Sequence, residues 1–130
     1  MANGVRDLRV WQEAVALAAD VVRLARQVNR RELRALIDDL LLAAVGTAAA
    51  IADGYAREDP AEQRHCYRAA RRALSRLDTA LAIARQAELC TATVHAQLSS
   101  RSTAVGRLLA GYLQYVDRQI AAERETPARA

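Results

Sequence analysis

From Val10 onward the apolar residues return at alternating steps of four and three: Val10, Ala14, Leu17, Val21, Leu24 and Val28. An α-helix is the structure that brings this spacing onto one face. Only five Gly and two Pro punctuate the 130 residues, so there is room for few turns and hence for few, long elements. The apolar vocabulary agrees. The chain is 52% hydrophobic yet has no Phe, one Trp and four Tyr, so its volume comes from Ala, Leu, Val and Ile. Such a mixture favours helices and lacks the aromatic and β-branched runs of sheets. A chain of this length builds one core. The expectation is an all-α protein, an antiparallel up-down-up-down four-helix bundle over residues 1–122 with a disordered polar tail over 123–130.

The spacing predicts a first helix over 7–28, with a second apolar set, Trp11, Val15, Ala18, Val22 and Ala25, beside the first. That stripe is wider than one partner helix needs. A turn follows at 29–31. The second helix, over 31–57, puts Leu33, Ile37, Leu40, Ala44, Ala48, Ile51 and Tyr55 on one face, while Leu36, Leu41, Val45 and Ala52 widen it almost all round. A helix apolar on most sides is central in a core or covered by another chain, so self-association is expected. The small residues 46–50 offer a neighbouring backbone a close approach. Asp59, Pro60 and Glu62 have the spacing of a capping box with Pro at the first helical position. They start a third helix over 60–88 whose inner face is Ala70, Leu74, Leu77, Leu81 and Ala84. Thr91 or Thr93 caps a fourth helix reaching 122, with Val94, Leu98, Val105, Leu108, Leu109, Tyr112 and Val116 turned inward. Trp11, Leu40, Leu77 and Leu108 are the expected buried anchors.

All basic residues are Arg, and the net charge is +4. The guanidinium fork suits phosphate and carboxylate alike. A GC-rich, Arg- and Ala-heavy codon usage accounts for the same inventory and is the simpler explanation. The stretch 1–9 holds Arg6, Asp7 and Arg9 and lacks the apolar core of a secretion signal, and the run 40–52 falls short of a bilayer span. A cytoplasmic chain with reduced Cys66 and Cys90 and no membrane partner is expected.

Arg64, Arg68, Arg72 and Arg76 recur every fourth residue along the third helix, with Arg71 beside them, a ridge about 18 Å long. Like charges at this spacing repel by a few tenths of a kcal/mol per pair, so the ridge calls for compensation. Acids on other helices or subunits, such as Glu13, Asp20, Asp38 or Asp39, would supply it, and a salt-bridged or solvated face is the favoured reading. The alternative is a nucleic-acid surface that holds phosphates without reading sequence, with Tyr67 as the lone aromatic near it. His65, Cys66, Cys90 and His95 are the soft metal ligands, but Cys66 and Cys90 stand roughly 36 Å apart along one helix and neither local pair has a zinc spacing. No metal, cofactor or catalytic residue is expected. Asp38 and Asp39 diverge by about 100° on a helix, Glu58 and Asp59 belong to a turn, and no nucleophile motif or phosphate-cradling loop is present.

Four stretches carry a family likeness: Arg6, Asp7, Leu8, Val10, Trp11 and Gln12; Ala43 to Val45 with Ile51, Ala52, Asp53, Gly54 and Tyr55; Ala70, Arg71, Leu74, Leu77, Asp78 and Thr79; and Gly106 to Leu109. They resemble the bacterial four-helix bundle family named for the 23S rRNA intervening sequence. The resemblance implies an up-down-up-down bundle assembled into a ring of five subunits, with no established enzymatic activity. A more distant similarity is to the accessory variability determinant of diversity-generating retroelements, which implies DNA, RNA or a reverse transcriptase as partner. The chain departs from the family pattern at Leu41 and Leu42, at residues 46–50 and at Arg76.

Overall fold

The computed structural model describes residues 4–28 and 30–125. Its elements are α1 (Arg9–Gln27), α2 (Arg34–Tyr55), α3 (Pro60–Gln86) and α4 (Ala92–Glu125), with 3-10 turns at Gly4–Asp7 before α1 and Arg31–Leu33 before α2. No strand occurs among the described residues. Each helix packs on its neighbour in sequence, α2 on α3 most closely, and α1 also meets α4 along the most open of the four seams. The core runs through all four, and at its centre Val10, Val21, Ile51, Ala70, Leu77, Val105 and Leu109 are fully enclosed.

Apart from Val28, half-buried just past the end of α1, the inner faces expected for α1 and α3 are those observed: Val10, Ala14, Leu17, Val21 and Leu24 on α1, and Ala70, Leu74, Leu77, Leu81 and Ala84 on α3. Two expected anchors, Trp11 and Leu108, are only half-buried against the core's edge, whereas Leu40 is enclosed. In α2 the buried line is Leu40, Ala43, Ala44, Thr47, Ile51 and Gly54, rotated from the one expected, so Tyr55 lies exposed. Burying Thr47 is tolerated because its hydroxyl donates to the Ala43 carbonyl one turn back, at 2.8 Å. Of the two glycines of α2, Gly54 is the one that its neighbour requires. A Cβ on Gly46 would sit 3.9 Å from Ala73, in ordinary contact, whereas one on Gly54 would come within 2.6 Å of the Tyr67 ring.

Helix starts are tied down differently from expectation. Asp59 makes no side-chain cap on α3; instead the Gln63 amide reaches back to the Arg57 carbonyl at 2.8 Å. Gln12 does the same at α1, donating to the Arg6 carbonyl at 2.7 Å. Both glutamines fold the preceding chain against the first turn. Thr91 caps α4 by accepting from the Val94 amide at 3.1 Å. Helix α4 continues to Glu125, three residues beyond the end expected at 122; the remaining tail and Asn29 of the expected turn at 29–31 lie outside the described residues.

Helix α3 ends in a six-to-one hydrogen bond from the Leu89 amide to the Ala84 carbonyl, with Glu88 between them at φ 61°. That left-handed position favours Gly, since a side chain there costs about 1–2 kcal/mol. Glu88→Gly should therefore raise stability by about 0.5–1 kcal/mol, the relief partly offset by the freer unfolded chain. A loss of stability on chemical denaturation would contradict this account of the α3 terminus.

Candidate nucleic-acid interface

The Arg ridge lies on the outer side of α3 because Tyr67, Ala70, Leu74, Leu77 and Leu81 hold the opposite side in the core. Its two ends and its middle differ. At one end Arg64 reaches Asp117 of α4 at 3.6 Å, its side chain 29% exposed and the acid 51%. At the other, Arg76 reaches Asp39 of α2 at 3.6 Å, with 71% and 53% exposure. Pairs this long and this wet contribute little to stability. Between them Arg68, Arg71 and Arg72 are exposed and, with Ser75, line a shallow open groove. No acidic side chain lines that groove, and none of the three arginines forms an ion pair among the described residues. A second groove toward α2 continues from Arg72 past Ser75 and Arg76 to Thr79, with Asp39 of α2 on its other side.

Of the acids expected to offset the ridge, Asp39 alone meets it. Asp20 bonds Arg23 at 2.7 Å and Arg101 of α4 at 3.4 Å, Glu13 lines the α1–α4 groove, and Asp38 is exposed. The acid at the Arg64 end, Asp117, was not anticipated. It sits on the exposed side of α4, where only the pairing of helices reveals it.

Tyr67 offers no platform for a base. It is 4% exposed, tilted at 44° against Tyr112 with ring centroids 6.1 Å apart, and its edge fills the space left by Gly54. Burial, with smaller effects from Tyr112, Cys66 and Tyr55, pushes its hydroxyl pKa up. The open part of the ridge is thus cationic without an aromatic surface, a geometry for phosphate oxygens and not for bases.

One polar contact crosses the α3–α4 seam from inside: buried Ser102 donates from Oγ to Asp78 Oδ1 at 2.5 Å. The spacing of charges alone could not single out this pair, because its members are 24 residues apart. Cys66 and Cys90 are free, half-buried and buried respectively, and burial pushes the Cys90 thiol up despite the nearby Arg85. His65 is exposed, and His95 lies 3.5 Å from the Ser99 hydroxyl. Among the described residues no three His, Cys, Asp or Glu side chains are grouped to hold a metal ion. Glu58 and Asp59 are exposed in the α2–α3 turn.

The family described as 23S rRNA-intervening sequence protein matches residues 6–111, which include the whole ridge and all four stretches of likeness. No curated protein matches the chain.

Proposed function

Starting from a chain that belongs to the 23S rRNA-intervening sequence protein family, we propose a non-enzymatic cytoplasmic scaffold. In this reading the helices run antiparallel, up-down-up-down, and copies assemble into a ring of five. Arg68, Arg71 and Arg72 then hold the phosphates of DNA or RNA, or serve an enzyme such as a reverse transcriptase that works on them. Antiparallel packing is supported by contacts that run in opposite senses along α3 and α4: Arg64 with Asp117, Leu74 beside Gly106, and Asp78 with Ser102. The short connection over residues 56–59 between the closely packed α2 and α3 supports it too.

The observation that carries the nucleic-acid role is the open middle of the ridge, three exposed arginines that form no ion pair among the described residues. Each phosphate contact releases counterions, so affinity should fall steeply with salt and be the same for unrelated sequences. The Arg68→Gln, Arg72→Gln double variant should weaken binding to every oligonucleotide alike and flatten the logarithmic salt slope by about one unit per lost contact, with little change in melting temperature. Anisotropy titrations across a salt series measure this. If wild type binds neither DNA nor RNA at low salt, the nucleic-acid role falls.

A second reading, a module that binds only protein, is favoured by the ridge's paired ends, Arg64 with Asp117 and Arg76 with Asp39. It would retain the scaffold and leave the arginines to acidic partners.

A further inference from the structure

Gly111 is exposed on α4, and nothing packed around it among the described residues requires a glycine. A Cβ built there would meet nothing within 4 Å, whereas one on Gly54 would collide with Tyr67 and one on Gly106 would touch Leu74 at 3.6 Å. Glycine inside an exposed helix weakens it relative to alanine. The use left for the missing side chain is to let another molecule lie close against the backbone.

The surroundings indicate what kind of molecule. Arg107 stands one turn before Gly111 and Tyr115 one turn after, so the two flank the gap on one row of the helix, about 12 Å apart. With Leu108 and Tyr112 they line an open cavity of about 410 Å³, in which every side chain but that of Arg107 is apolar or aromatic. That is the size of a small-ligand site. Tyr115 is 53% exposed, and its hydroxyl accepts from Gln119 Nε2 at 2.8 Å, a bond that steadies the ring. An exposed aromatic ring and a guanidinium both stack on a flat π system.

Charge and position narrow the choice. Arg107 and, two turns beyond Gly111, Arg118 are exposed and form no ion pair among the described residues, so they suit a ring that carries a negative group. The contacts of Arg64 with Asp117, Leu74 with Gly106 and Asp78 with Ser102 set the register of α3 against α4. Between them, residues 108–112 of α4 stand level with 68–72 of α3. The slot is therefore at the height of Arg68, Arg71 and Arg72, on the adjoining helix, and packed helices are about 8–10 Å apart.

We propose that the Gly111 slot takes an unstacked nucleobase of a single-stranded nucleic acid. The base lies over Gly111 between the Tyr115 ring and the Arg107 guanidinium, while Arg68, Arg71 and Arg72 hold phosphates of the same strand. This rests on the nucleic-acid reading above and specifies its ligand as single-stranded. A paired base shows a protein its edges and keeps its faces in the stack, so a slot for a ring selects against duplex. Every base has a π face, so the slot adds no sequence preference.

The test compares one labelled oligonucleotide, free or annealed to its complement, with an abasic strand of the same length, by fluorescence anisotropy. Wild type should bind the free strand about tenfold more tightly than the duplex or the abasic strand, as expected for the stacking of one base. Gly111→Leu fills the slot with a better helix former, and Tyr115→Ala removes the ring. Circular dichroism checks that both remain helical. Each should weaken binding of the free strand about tenfold and leave the duplex and the abasic strand unchanged. The slot is overturned if wild type binds all three ligands equally, if either variant leaves the free strand unaffected, or if it weakens all three alike. Wild type that binds no nucleic acid at low salt would instead remove the nucleic-acid reading, and the slot with it.

Discussion

Leu77→Ala should lower stability by about 3–5 kcal/mol, in the upper half of what buried leucines cost on truncation. Leu77 is fully enclosed at the middle of α3, the helix with the two most extensive seams in the bundle. The cost has two parts, lost transfer free energy and the void left behind. The void is hard to close here because Asp78, the next residue, is hydrogen-bonded across the seam to Ser102 and holds α3 and α4 at their present distance. For a chain of this length the loss corresponds to a drop of about 10–20 °C in Tm. Thermal unfolding at matched protein concentration measures it, the match being needed because assembly would add its own stability. A drop of only a few degrees would mean that this face of α3 is not central to the core.

Gly54→Ala should destabilise by about 2 kcal/mol, although Ala is the better helix former by about 1 kcal/mol. The added methyl would stand 2.6 Å from Tyr67 Cε1 and 2.9 Å from Cδ1. A flexible exposed side chain would swing away, but Tyr67 is 4% exposed and held by Tyr112 on the far side. Something in the packed layer of α2, α3 and α4 has to move, and overpacking of this kind is costly. The cause is checked by a double-mutant cycle. In a Tyr67→Leu background the same Gly54→Ala change should become neutral or stabilising, giving a coupling of about 2 kcal/mol or more between the two positions. Additive effects would show that Gly54 is required for some other reason.

These two positions also show what the sequence could and could not disclose. Leu77 is legible because α3 alternates a narrow apolar line with charge, so its period has one solution. Helix α2 is apolar nearly all round, and a pattern without contrast has no phase. That is why the pattern puts Tyr55 on the inner face and leaves out Ala43, Thr47 and Gly54, which are buried. Gly54 was visible in the likeness to a known family, yet its purpose depends on a tyrosine thirteen positions on, which no local rule connects to it. At the candidate interface the ridge itself could be read from its four-residue repeat. Its division into paired ends and an open middle could not, because Asp39 and Asp117 reach it from different helices. The burial of Tyr67 is hidden for a related reason: it is decided by Gly54 and Tyr112 on other helices.

The order in which the helices meet has a consequence in time. Three of the four seams join helices adjacent in sequence, and only α1 against α4 brings distant parts of the chain together. Contacts between near neighbours form before much loop-closure entropy has been lost, whereas the α1–α4 seam orders nearly the whole chain for the sparsest set of contacts. A bundle so connected belongs among rapid folders, on the scale of microseconds to milliseconds. Its slowest native step is the arrival of α1 beside α4, the event that creates the groove between them.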